Sequence, residues 1–222
     1  MIIGERKPLK EIMEMVAECD NVIVAGCGTC VAVCLAGGEK QVRVIASALR
    51  LARKLRGKPI KVTEITVERQ CEKEFIEEIK TLIPNHDAII SLACGIGVQT
   101  LTQHYPHTIT YPGLNTTFMG APAQHGVWME TCRSCGDCIL DLTGGLCPIA
   151  RCSKSLLNGP CGGSKNEKCE VNQDIDCVWQ LIYKRLKQLN KLHLMREIMP
   201  ARARGEKDNG FPRKIIREDA ML

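Results

Sequence analysis

The chain has 222 residues, enough for one large domain or two small ones, with fourteen cysteines, few aromatics (4%) and an ordinary charged fraction of 25%. Its net charge of +5 is too modest to argue for a nucleic-acid partner, and no basic side chains interleaved with aromatics surround the cysteines. The opening MIIGERKPL puts charges where a secretory signal has an apolar core, and the longest apolar run, around Asp87 to Val98, is too short to span a bilayer. These features predict a cytoplasmic protein without a membrane span, in a compartment where thiols stay reduced and clustered cysteines mean metal.

Ile12, Met15, Val16 and Cys19 recur at i, i+3, i+4 and i+7 and predict a helix over 8–19, with Cys19 as a core residue. Asn21 to Gly26 is a short apolar run of the kind found in a buried parallel strand. A helix running from about Cys34 to Arg56 follows and is stopped by Gly57 and Pro59. Lys61 to Val67 reads as a second strand, Glu72 to Ile83 as an amphipathic helix ended by Pro84, and Asp87 to Ala93 as a third strand. A helix near Val98–His104 and a strand near Thr108–Tyr111 complete the unit. This alternation predicts an α/β fold, a parallel sheet flanked by helices, over residues 1–118.

Ligands of such sheets sit beyond the carboxyl ends of the strands. Cys27 and Cys30 lie past the first strand, Cys71 past the second and Cys94 past the third, so all should meet at one edge. Cys27, Cys30 and Cys34 have the spacing of a three-thiolate loop, and either Cys71 or Cys94 is a candidate fourth ligand. The rival reading, a redox-active C-x-x-C, leaves Cys34, Cys71 and Cys94 without a role. Gly26-Cys27-Gly28-Thr29-Cys30-Val31 lacks the third glycine of a dinucleotide-binding turn, and no acidic residue stands where that motif needs one.

Residues 113–130 are irregular and rich in Gly, Pro and Ala, which marks a domain boundary. The stretch Cys132 to Cys177 then holds eight of the cysteines. Cys132, Cys135 and Cys138 are spaced C-x2-C-x2-C, and Cys147 follows with Pro148 directly behind it, a pattern that converges thiolates on an inorganic core. Cys152, Cys161, Cys169 and Cys177 return every eight or nine residues and are the four most open to a zinc reading. Gly, Asn, Lys and Asp separate them, so the segment 119–199 is expected to be a small cysteine-rich domain folded around metal. Asp174 or Asp176 is placed to cap a final helix striped by Val178, Leu181, Ile182, Leu186 and Leu189. Residues 200–222 form an extended polar tail expected either to be disordered or, as Phe211, Ile215 and Ile216 suggest, to be an arm lying on a partner. The histidines His86, His104, His107, His125 and His193 are scattered singly, and the chain shows no nucleophile or paired carboxylates for catalysis.

The runs TGGLCPIARCSKSLLNGPCGG, KCEV and DCVWQLIYKRL, with AGCGTCVAVCLAGGEKQV, VERQC and LACGIGVQ earlier, resemble the C-terminal, metal-binding partner of methylenetetrahydrofolate reductase. In many anaerobes and acetogens this partner is a separate small subunit beside a flavin-bearing barrel subunit. The resemblance covers nearly the whole chain and implies a non-catalytic iron–sulfur subunit, with zinc also associated with the family. It implies [4Fe–4S] clusters, two in number, relaying electrons from a donor such as ferredoxin or a further redox subunit. The flavin, FMN or FAD, and the folate site are expected on the partner, since nothing here resembles the barrel. A structural zinc subunit that docks the catalytic chain without redox work is the competing expectation.

Overall fold

A computed structural model describes residues 1–201 together with Arg217 and Asp219. The apolar tail residues Phe211, Ile215 and Ile216 therefore lie outside the described residues. In chain order the regular elements are β1 (Ile2–Arg6), α1 (Leu9–Met15), β2 (Asn21–Cys27), α2 (Cys30–Val33), α3 (Glu39–Leu55), β3 (Lys61–Val67) and α4 (Lys73–Ile76). They continue with β4 (Ala88–Leu92), α5 (Gly95–His104), β5 (Ile109–Pro112), β6 (Leu114–Gln124), β7 (Val127–Cys132), α6 (Pro148–Arg151) and α7 (Val178–Gln188). The chain divides into two compact units, Met1–Cys135 and Gly136–Leu222.

The first unit is α/β. Its parallel sheet has the order β3-β2-β4-β5. The two central strands are buried along almost their whole length because VIVA and AIISL are apolar on both faces. Alternate residues divide between two cores, as the period of two requires. Val22, Val24, Ala88 and Ile90 pack with Ile12, Val16, Val42 and Leu49 of α1 and α3. Ile23, Ala25 and Ile89 pack with Ile76, Ile79 and Leu101 on the other face. β3 carries Lys61 and Glu64 and sits at the edge, where exposed charges discourage pairing with another chain.

One buried cation ties the layers together. Arg53 of α3, 5% exposed, donates to the carbonyls of Val16 (3.1 Å), Ala17 (2.8 Å), Cys19 (3.0 Å) and Lys58 (2.8 Å). It thereby satisfies the Ala17 and Cys19 carbonyls in the turn after α1 and gives a second donor to the Val16 carbonyl, which also accepts the Cys19 N–H. Asp87 makes a matching junction before β4, accepting the backbone N–H groups of Asp20 and Asn21, each at 2.8 Å.

Four expectations are corrected. The helix predicted from Cys34 to Arg56 begins only at Glu39, because the chain turns through Leu35 at φ 58°. It then passes Gly37 so close to β4 that a Cβ there would lie 1.8 Å from the Leu92 carbonyl oxygen. The helix predicted over Glu72–Ile83 is the single turn α4 followed by 3-10 turns at 77–79 and 83–85. Buried Ile76 and Ile79 are three apart, which suits the tighter winding as well as the α-helical one.

The third correction is larger. Residues read as an irregular boundary form an antiparallel hairpin, β6–β7, joined to β1 in a second sheet of order β1-β6-β7. Pro122 is tolerated because the pairing slips between Pro122 and Gln124, and Gly126 takes the φ of 80° that the tight turn needs. Lastly, neither Asp174 nor Asp176 caps α7: Cys177 stands at the N-cap, and Asp176 pairs with Lys168 at 2.7 Å.

The second unit has little regular structure. Its core consists of Cys177, Val178, Trp179, Ile182 and Leu186, with Leu146, Cys152, Leu194, Met195 and Met199 against it. Two isolated bridges, Lys165–Lys168 and Lys168–Asp176, organise the loop before α7. Among the described residues no helix is long and apolar enough to cross a membrane.

Candidate functional site

In the first unit β3 and β4 lie on opposite sides of β2, so the connections reverse direction between β2 and β4, the place where sheets of this kind bind ligands. Cys27 ends β2, Cys94 precedes α5 just past β4, and Cys71 follows β3. Gln70 fixes the third of these loops. Wholly buried, it donates to the carbonyls of Ala25 (2.8 Å) and Gly26 (2.9 Å) on β2 and accepts the Ser91 hydroxyl of β4 at 2.5 Å. Gly28 N–H reaches the Val67 and Glu68 carbonyls at 2.9 and 3.1 Å and pins the loop after β2 to the loop after β3. Gly97 lets α5 approach, since a Cβ there would meet the Gln70 Cβ at 2.9 Å.

These contacts bring Cys27 and Cys94 each within electrostatic reach of Cys71. Cys71 is exposed, yet partial desolvation raises its thiol above its usual value, and the neighbouring Cys27 and Cys94 add to the rise. Cys27 Sγ also lies 3.6 Å from Thr29 Oγ1 and 3.8 Å from the Glu68 carbonyl oxygen. Cys30 opens α2 half-buried. Cys34 is turned to β1: its sulfur accepts Gly4 N–H at 3.5 Å and lies 3.7 Å from the Gly4 carbonyl oxygen. Cys19 is a core residue, 8% exposed.

Cys132 closes β7, and its sulfur accepts the Ser134 N–H at 3.4 Å. Cys132, Cys135 and Cys138 are exposed, and the division between the two units falls between Cys135 and Gly136, inside the C-x2-C-x2-C run. Cys147 is half-buried at the N-cap of α6.

Within the second unit, Cys152, Cys161, Cys169 and Cys177 line one cleft. The Cys177 N–H donates to the Glu167 carbonyl at 2.7 Å and the Cys169 N–H to that of Ile175 at 3.0 Å, which folds this loop back on itself. The Ser153 hydroxyl, with the N–H groups of Val171 and Asn172, holds the Cys169 thiol below its ordinary range. Donors aimed at a sulfur favour the thiolate, the form that ligates metal. Ser164 Oγ, on the wall of the same cleft, is buried with no partner among the described residues. Four soft thiol donors and an orphaned hydroxyl suit a zinc ion or an iron–sulfur cluster. Among the described residues no three His, Cys, Asp or Glu side chains are drawn together as closely as a bound metal ion requires.

Two histidines have structural partners: His86 reaches Thr63 Oγ1 at 2.7 Å, and His104 meets Glu77 at 2.6 Å. Sequence reading missed Gln70, Ser91, Ser153 and Ser164. Only Gln70 carries a local signal, a polar side chain wedged between the end of a strand and a cysteine.

Fold and site together define a parallel α/β unit with thiols at its carboxyl edge, followed by a small unit whose cleft is walled by four cysteines. Residues 111–204, which include the β6–β7 hairpin and that cleft, match the family described as Methylene-tetrahydrofolate reductase C terminal. The match spans less than half of the chain, and over those residues the chain is similar to that family. No curated protein and no solved structure matches the chain.

Proposed function

We propose that this chain is the iron–sulfur, electron-transferring subunit of a methylenetetrahydrofolate reductase complex. The observation that carries the reading is that Cys152, Cys161, Cys169 and Cys177 share one cleft inside the segment that matches the reductase family. These four thiolates would hold one group, and Cys27, Cys71 and Cys94, with Cys30 beside them, would hold a second. Cys132, Cys135, Cys138 and Cys147 are the remaining candidate ligands. A [4Fe–4S] cluster supplies one-electron transfer at a potential set by its surroundings. The protein's part is to hold the sulfurs and aim donors at them, as the N–H groups of Val171 and Asn172 do at Cys169.

The resemblance to the reductase partner assigns reduction of methylene- to methyltetrahydrofolate to the partner's flavin, FMN or FAD. A ferredoxin or a further redox subunit would deliver the electrons, in the cytoplasm. The test is anaerobic purification followed by iron, zinc and sulfide analysis with a visible spectrum. Two clusters give about eight irons per chain and a brown protein that bleaches on reduction.

A second reading is favoured by the size of the second unit's core. Five buried residues around α7 are few for an independent fold, as expected of a unit whose stability comes from structural zinc. A colourless protein with stoichiometric zinc and no sulfide overturns the electron-transfer role and establishes this second one.

A further inference from the structure

Helix α3 has two apolar faces, and only one of them is used. Val42, Ile45, Ala46 and Leu49 are buried against the sheet. On the face turned away from it, Val44, Ala48, Leu51 and Leu55 fall at i, i+4, i+7 and i+11, a straight ridge about 16 Å long at 1.5 Å per residue. Val44 is 50% exposed, Leu51 59% and Leu55 78%. Single exposed apolar residues need no explanation, but a ridge at this spacing has the form of a helix-pairing seam.

The charges around the ridge that lack an ion-pair partner among the described residues have one sign. Lys40, Lys54, Arg56 and Lys58 are exposed, and none has an ion-pair partner among the described residues. Arg43 is paired with Glu39, and Arg50 with Glu64 at 2.7 Å. A second copy of this chain would bring like charges together, which disfavours self-association through α3. An anionic bilayer would satisfy the lysines and accept Leu51 and Leu55, but the ridge has no Trp or Phe to anchor it at the interface, so the membrane is the alternative that the test below separates.

We propose that the outer face of α3 docks the reductase partner, through an apolar ridge on that partner edged by carboxylates. The inference rests on the reading that this chain serves such a partner. The apolar seam supplies the desolvated centre of the contact, and the lysines steer and orient the approach.

The test is to co-produce the chain with the flavin-bearing reductase subunit and measure the affinity of the pair at low and high salt. Leu51→Glu combined with Leu55→Glu should weaken binding about tenfold or more, because it puts charge in the desolvated centre. Lys40→Glu with Lys54→Glu replaces fully solvated side chains, so folding is preserved even if the leucine variant fails to fold. It should weaken binding about threefold or more and flatten its salt dependence. A wild-type pair that associates while the lysine variant binds as tightly, with the same salt response, overturns the docking face and leaves the reductase reading intact. Loss of binding to anionic vesicles in that variant, with the protein pair unaffected, overturns it in favour of a membrane surface. A wild-type chain that does not associate with the flavin subunit sinks the reductase reading, and the docking face with it.

Discussion

Ser91 donates its hydroxyl proton to Gln70 Oε1 across 2.5 Å, and both side chains are wholly buried between the ends of β2 and β4. The pair converts the loop after an edge strand into part of the sheet's rigid centre, and Cys71 is carried by the residue next to it. Replacing Gln70 with Leu leaves the Ser91 hydroxyl and two amide-facing carbonyls without that partner. It should cost roughly 1–3 kcal/mol in a denaturant titration. Alkylation of Cys71 should accelerate as its loop loosens. An unchanged midpoint with an unchanged alkylation rate would show that other contacts fix the loop.

Arg53 is the second buried polar anchor. Arg53→Met keeps the volume of the side chain but strands the Ala17, Cys19 and Lys58 carbonyls, while Val16 keeps the Cys19 N–H, and a loss of about 3 kcal/mol is expected. Arg53→Lys should rescue little of it, since one ammonium cannot spread donors over acceptors on both sides of a planar fork. Thermal melts of the three proteins decide the matter, and full recovery by lysine would contradict the geometric argument.

Asp87 gives a dependence on pH. The backbone N–H groups of Asn21 and Asp20 hold its carboxyl below the ordinary aspartate value. A folded pKa below the unfolded one means the stabilisation is complete above the unfolded value, near pH 4, and is lost as the pH falls through the folded one. Asp87→Asn should therefore be less stable than the parent at pH 7, and the gap should close in acid. A gap independent of pH between 7 and 3 would assign the effect to shape alone.

The two units should respond differently to loss of metal. The first has cores on both faces of its sheet, whereas the second has five buried residues around one helix. Chelation under reducing conditions should open the region after Gly136 to protease while residues 1–135 resist. Cys161→Ser should do the same without chelator, because it removes one wall of the four-thiol cleft. Uniform digestion of both units would count against a second unit that depends on metal.

What the sequence disclosed followed from how locally each feature is encoded. β2 begins where its apolar run begins, because a strand buried on both faces leaves an unmistakable pattern, and β3 spans the residues read as the second strand. Placing Cys27, Cys71 and Cys94 at one edge needed only the alternation of strand and helix. The β6–β7 hairpin was hidden because Gly120 and Pro122 interrupt its pattern and its pairing partner β1 lies over a hundred residues away. The cap of α7 was misplaced for a related reason. Lys168 competes for Asp176, and nothing in the local sequence announces that contact. Gln70 and Arg53 act between elements, so their roles became visible only once those elements had been placed.

The second sheet also sets an order of events while the chain is being made. β1 takes its partners from β6, with Ile2 opposite Met119 and Arg6 opposite Leu114. At about 5–20 residues per second, a ribosome needs roughly 5 to 25 s between releasing the one strand and the other. Through that interval the earliest strand of the chain has neither of its edges covered, while β2 and β3 can already pair. The parallel sheet can therefore be assembled before the antiparallel one is closed, and β1 must stay solvated until then. Its sequence, IIGER, suits that wait: it is five residues long, has a glycine at its centre and ends in two charges, which makes it a poor template for pairing with a neighbouring nascent chain.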